Sequence, residues 1–209
     1  MANSISAILT GDIVNSTRIG TRHSRALISA LETLFGKRSY EFYRGDSFQI
    51  REPDPAKALR LAMQCRVLAL KIKHKNQAVR VDIRISIGLG KTGKLAGTPG
   101  LSSGEAFLLS GRSFDQLTAA DKRLSIAVSN PLGAAGLAVI ADYTDAVFRE
   151  MTINQAALYE WLLTGTSQQD AAKKLKKSKS TVHQYAVSGR WRETEQILLH
   201  YENIVKLIT

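Results

Sequence analysis

From Val79 to Gly88 the chain alternates without a break, with Val79, Val81, Ile83, Ile85 and Ile87 on one side and Arg80, Asp82, Arg84 and Ser86 on the other. A β-strand throws successive side chains to opposite faces, so this pattern predicts a strand with one apolar and one polar face. Such a strand needs partners in a sheet and an apolar layer against its branched residues.

The flanking segments supply both. Ser4 to Ile13 is a second apolar run ending in Gly11-Asp12, and Asn15-Ser16-Thr17 after it carries side-chain oxygens suited to capping a helix. Ala26, Leu27, Ala30, Leu31 and Leu34 recur at helical spacing between Thr21 and Phe35, and Gly36 ends that helix. Ser39 to Ile50 is rich in aromatic residues and broken by Arg44-Gly45-Asp46-Ser47, which predicts a hairpin with Asp46 at its tip. Asp54-Pro55 reads as an N-cap and first helical residue, opening an amphipathic helix that runs to about Lys73 with Ala58, Leu61, Ala62, Cys65, Leu68 and Ile72 inward. After the alternating strand come a Gly- and Lys-rich loop through Gly104, a helix over Glu105 to Leu117, a short strand over Leu124 to Val128 and a helix over Leu137 to Met151. Strand, helix, hairpin, helix, strand is the order of a ferredoxin-like α+β core. The chain therefore divides into that core over residues 1–130, a linking helix over 131–151 and an all-α unit over 152–209.

With 209 residues and 44% hydrophobic content, there is material for one full core and a smaller appendage. The formal charge of +11 favours nucleic acid or another anionic partner. Cys65, alone in an apolar helical stretch, cannot build a disulfide framework and reads as a core residue of a cytoplasmic protein. The first residues lack a secretory pattern, and Leu132 to Ala141 is far shorter than the roughly 20 residues of a membrane span, so no membrane partner is expected.

Asp12 and Asp46 carry the chemistry. Both follow β-prone segments, and a sheet that pairs those segments sets two carboxylates side by side, an arrangement that calls for a neutralising cation. Gly11-Asp12-Ile13-Val14-Asn15-Ser16-Thr17, Arg44-Gly45-Asp46-Ser47-Phe48 and Arg84-Ile85-Ser86-Ile87-Gly88 resemble, in order and spacing, the landmarks of class III nucleotidyl cyclase domains. With its C-terminal unit, the chain also resembles the SatD-like family of bacterial proteins, which shares the Gly-Asp-Ile and Arg-Gly-Asp elements. The cyclase resemblance implies that Asp12 and Asp46, with the Ile13 carbonyl, hold Mg²⁺ or Mn²⁺. It further implies that Asn15, Ser16 and Thr17 offer backbone N–H groups to a triphosphate, with Lys91 and Lys94 adding charge.

Two positions depart from the cyclase pattern. Phe42 stands four residues before Asp46, where that pattern has a polar, base-reading side chain. Its Asn-x-x-x-Arg pair becomes Leu108-x-x-x-Arg112, which keeps a candidate catalytic arginine and loses its partner. Loss of one such contact costs about two to three orders of magnitude in rate, so binding of a nucleotide is favoured over its cyclisation. Against these readings stand plainer ones: Gly-Asp is ordinary turn chemistry, and Arg112 suits a solvated helix face. Tyr40, Phe42, Tyr43 and Phe48 could stack bases, but core packing accounts better for most of them.

A second pattern lies downstream. Thr164-Gly165-Thr166-Ser167 breaks a helix over Ile153 to Leu163 and caps the next, Gln168 to Leu175; Lys176-Lys177-Ser178 forms a turn, and Ser178 caps a third. Ala171 and Ala172 permit close approach of a helix carrying Val182. This resembles bacterial helix-turn-helix units, with Lys176 where many have glycine, a position that requires left-handed backbone. The resemblance implies that Lys179, Ser180, Thr181, His183 and Gln184 face the major groove of double-stranded DNA while Lys173, Lys174, Lys176 and Lys177 meet phosphates. The plain alternative is a solvated lysine-rich helix pair that meets a protein. Trp191 is expected to anchor the final helix, Glu193 to Ile208.

Three functions follow from these features. One is a cytoplasmic, homodimeric transcriptional regulator whose core senses a nucleotide or other phosphorylated ligand. Another is a metal-dependent nucleotide-processing enzyme. The third is a core that only dimerises.

Overall fold

The computed structural model describes residues 5–43, 45–73, 80–93, 98–99 and 102–208. Its centre is a five-stranded sheet in the order β2-β3-β1-β4-β5. These strands are β1 (Ile5–Val14), β2 (Tyr40–Tyr43), β3 (Ser47–Glu52), β4 (Asp82–Lys91) and β5 (Leu124–Val128). β1 is antiparallel to β3 and β4, and β5 joins β4 in parallel. Helices α1 (Gly20–Phe35) and α2 (Ala58–Leu70) connect β1 to β2 and β3 to β4, so the βαββαβ order expected from the sequence is the one observed.

The alternation in β4 has its expected consequence. Val81, Ile83, Ile85 and Ile87 are buried against the helical layer; Val79 lies outside the described residues, and pairing begins at Asp82 rather than before it. β1 adds Ala7, Leu9 and Ile13 to the same face, and β3 adds Phe48 and Ile50. Phe35 at the end of α1 meets Tyr40, Phe42 and Phe48, with ring centroids 5.2, 5.9 and 5.2 Å away. Phe42 is therefore a packing residue. In α1 the buried stripe is Leu27, Leu31 and Phe35, while Ala26 is exposed. α2 is buried on nearly all sides, Arg66 included, because α5 and α8 cover the face that its periodicity assigns to solvent.

The opposite sheet face is polar and carries α3 (Glu105–Ala119). Ser110 Oγ lies 3.0 Å from Thr10 Oγ1, and Ser113 Oγ lies 2.7 Å from Ser125 Oγ. Gly88 makes this approach possible: a Cβ there would stand 2.2 Å from the Ala106 carbonyl oxygen. Gly11 serves a similar purpose on the other face, since a Cβ would stand 2.6 Å from the Phe48 ring. Gly11 is thus a strand residue under an aromatic ring rather than part of a turn.

α4 (Pro131–Glu150) starts earlier than the apolar pattern suggests, with Asn130 accepting from the Gly133 N–H at 2.9 Å and Pro131 in the first turn. α5 (Ile153–Leu162), α6 (Gln168–Leu175), α7 (Lys179–Ser188) and α8 (Trp191–Ile208) complete the chain. The main apolar cluster runs from the sheet through Phe148 of α4 and Ala156 and Tyr159 of α5 to Leu198, Tyr201 and Val205 of α8. Tyr201 ties α8 to the 3-10 turn Pro55–Lys57 that leads into α2 by donating to the Pro55 carbonyl at 2.8 Å. Among the described residues no helix is long and apolar enough to cross a membrane.

Candidate functional site

Asp12 lies inside β1, opposite Ser47 on β3 and Arg84 on β4, rather than at the turn after the strand. Asp46 sits at the tip of the β2–β3 hairpin, and its carbonyl accepts the Ile13 N–H at 3.0 Å. The sheet register therefore brings the two aspartates together, linked through the Ile13 N–H and near enough for the Asp46 charge to act on Asp12. Ser16 donates to Asp46 Oδ2 at 2.7 Å. Arg84 Nη1 donates to Asp12 Oδ2 at 3.3 Å, while Asp12 Oδ1 is buried and has no hydrogen-bond partner among the described residues.

These surroundings raise the Asp12 pKa: burial acts most strongly, Arg84 opposes it, and the Asp46 charge adds to it. A buried carboxylate oxygen without a donor, beside a second carboxylate, fits a hard divalent cation such as Mg²⁺ or Mn²⁺, which takes oxygen ligands. Arg84 already supplies part of that neutralising charge. Among the described residues no third His, Cys, Asp or Glu completes a metal cluster, so such a cation would take its remaining ligands from water or from a bound anion.

Of the other residues expected here, Ser16 is at the site through its bond to Asp46, whereas Lys91 is not. Lys91 pairs with Ile5, seven residues along β1 from Asp12, which places it about 23 Å away at the other end of the sheet. Lys94 lies outside the described residues, as does Arg44. Asn15, at φ 62°, and Ser16 to Arg18 form a turn of 3-10 helix, and α1 begins only at Gly20. The N–H groups of Asn15, Ser16 and Thr17 are thus not those of an α-helix N-terminus, and the Asn15 side chain donates to the Arg80 carbonyl at 2.8 Å. Arg112 is exposed on the side of α3 turned away from the sheet, one turn from the exposed Leu108. It does not join Asp12.

The sequence pattern gave no sign of a buried ionic cluster close by. Arg66 on α2 is wholly buried and donates to Asp82 Oδ1 and Oδ2 at 3.0 and 2.8 Å and to Asp145 Oδ1 of α4 at 2.9 Å. Its guanidinium stands 5.1 Å from the Phe148 ring centroid. The cluster locks α2, β4 and α4 together behind the Asp12 end of the sheet.

In the C-terminal part, Ser167 and Ser178 accept from the N–H groups of Asp170 and Thr181, both at 3.1 Å, and so cap α6 and α7. Lys176 between them has φ 53° and ψ 45°, the left-handed conformation expected at a position where many such units have glycine. Ala171, Ala172, Val182 and Ala186 pack with Leu158 and Leu162 of α5. Lys179, Ser180, His183 and Gln184 are exposed along α7, and Lys176 and Lys177 are exposed in the turn. Thr181 instead turns toward the cap, 2.8 Å from Ser178 Oγ. Lys173 pairs with Asp170 at 2.9 Å, and Lys174 Nζ lies 4.3 Å from the Trp161 ring centroid.

No family model and no curated protein matches the chain. Among solved structures it is similar to the active GGEEF domain of a diguanylate cyclase from Vibrio cholerae, at 15% identity over 61% of this chain and 85% of that one, with a TM-score of 0.44. A bacterial light-regulated adenylyl cyclase is similar at 12% identity over 59% of this chain and 75% of that one, with a TM-score of 0.40. Likeness of this depth does not extend to activity.

Proposed function

We propose that the chain is a DNA-binding regulator that reads double-stranded DNA with α7 and carries, at the Asp12 end of its sheet, a site for a divalent cation with a phosphorylated ligand. The outer face of α7 carries this reading. Its polar residues Lys179, Ser180, His183 and Gln184 stand free of the packing that fixes Val182 and Ala186. A helix so capped and braced can enter a major groove without unpacking, and the lysines of the turn can meet the flanking phosphates. The charge of +11 supports the same partner. A homodimer would present two such helices to a two-fold operator.

The test is fluorescence anisotropy of the full chain on DNA selected from a random pool. Gln184→Ala should cost about 1–3 kcal/mol and relax the preference at one position, whereas Lys177→Gln should weaken all sequences alike and lower the salt slope by about one. Failure to retain any DNA at low salt would overturn the proposal.

The unpartnered Asp12 Oδ1 supports a second reading, a nucleotide-processing enzyme. A bound cation would neutralise phosphate charge there, with Asp12 and Asp46 as its ligands. Metal-dependent turnover of a nucleoside triphosphate, lost in Asp12→Asn, would bear this out; no turnover of any of the ribonucleotides with Mg²⁺ or Mn²⁺ would exclude it.

A further inference from the structure

Beyond Asp12 the same end of the sheet carries a second polar feature. Arg80 precedes β4, Arg123 precedes β5 and Arg149 lies in the last turn of α4, and with Val14, Asn15 and Asp82 they line a cavity of about 150 Å³. Three guanidiniums around one cavity repel one another unless anions lie among them.

The inner carboxylates are already engaged. Asp82 gives both oxygens to Arg66, and Asp145 divides its oxygens between Arg66 and the Arg123 backbone N–H at 3.0 Å. Among the described residues Arg80 makes no ion pair, and its Nη2 donates to the carbonyls of Phe148 and Met151, at 2.7 and 3.1 Å. Burial lowers its pKa, Asp82 opposes the shift, and Arg66 and Arg149 add to it.

Asp121 shows how an anion sits between the other two. Its Oδ1 accepts from Arg123 Nη1 and its Oδ2 from Arg149 Nη2, both at 2.8 Å. It reaches them from solvent, with a side chain 74% exposed on a turn at φ 51°. A carboxylate held so openly yields to a dianion that offers more oxygens to the guanidinium forks.

We infer that the cavity between Arg80, Arg123 and Arg149 is an oxyanion site that takes a phosphate group, free or at the end of a larger molecule, with the Asp121 carboxylate as its internal competitor. The site requires neither DNA at α7 nor a metal at Asp12, so it goes beyond the function proposed above and stands or falls separately.

Calorimetric titration of the full chain with inorganic phosphate, and separately with a nucleoside monophosphate, tests it. Binding of the first alone identifies the free ion, and binding of the second alone identifies an esterified phosphate; either supports the site. Arg80→Gln and Arg149→Gln should each weaken binding about tenfold, and Asp121→Asn, which tolerates the same backbone, should tighten it about two- to tenfold. Lys37→Gln removes the same charge from an exposed position after α1 and should leave binding unchanged. The inference is overturned if neither probe binds the wild-type or Asp121→Asn chain, or if folded Arg80→Gln and Arg149→Gln chains bind as the wild type does.

Discussion

Arg66→Met keeps most of the volume of the side chain and removes its charge, leaving Asp82 and Asp145 buried without a counter-ion. Both carboxylates have side chains only 6% exposed, and Arg66 itself is 0% exposed, so water cannot replace what is lost. Removing one partner from such a buried cluster costs about 3–5 kcal/mol. That is a large share of the ~5–15 kcal/mol that holds a domain folded. At roughly 2–4 °C per kcal/mol for a chain of this length, the melting temperature should fall by about 10 °C. The cost arises from unpaired charge, so replacing both aspartates with asparagine in the same chain should recover more than half of it. Asparagine at 82 and 145 can still accept the backbone N–H bonds that Ile83 and Arg123 make at 2.7 and 3.0 Å. Thermal and urea unfolding followed by circular dichroism measure both effects. A loss under about 1 kcal/mol in Arg66→Met, or a triple variant no more stable than the single one, would refute the reasoning.

Two further outcomes are expected. Burial, opposed by Arg84 and reinforced by Asp46, raises the Asp12 pKa, so the folded chain holds that proton more tightly than the unfolded one and the stability from Asp12 is lost as pH rises through its folded pKa. Relative to Asp12→Asn, the wild type should therefore lose stability from acid toward neutral pH, and Mg²⁺ should restore stability to the wild type only; thermal melts across pH check this, and parallel curves would count against it. Lys176→Gly relieves the left-handed strain at φ 53° and, after the greater freedom of glycine in the unfolded chain is set against it, should stabilise by about 0.5–1 kcal/mol. A higher urea midpoint at unchanged slope is the expected sign, and a lower one would be evidence against the strain.

Local pattern was enough for much of the sheet. Val81 to Ile87 announced β4 and its buried face, and Leu124 to Val128 marked β5. The turn at Lys176 and the Ser178 cap followed from side-chain chemistry within a few residues. What depends on partners was hidden. The cyclase resemblance implied that Lys91 adds charge at the acidic site, but antiparallel pairing carries it to the far end of the sheet. Arg66 interrupts an otherwise apolar stretch and reads as surface, since its partners come from β4 and α4. Asp82 and Arg84 occupy the polar face of an alternating strand, where periodicity alone predicts solvent; one closes a buried ion cluster and the other pairs with Asp12.

The apolar cluster shared by the sheet, α4, α5 and α8 leaves no seam at which the chain can be divided cleanly. A cut at residue 152 would strip the cover from Phe148 on one piece and from Ala156, Tyr159, Leu198 and Tyr201 on the other. The direction in which α7 points is thereby fixed to the sheet by the same side chains that keep both dry. A ligand at the sheet would reach α7 through α5 and α8, the helices that pack on both, so a signal between the two ends would travel as a shift of whole helices rather than as the swing of a tethered part.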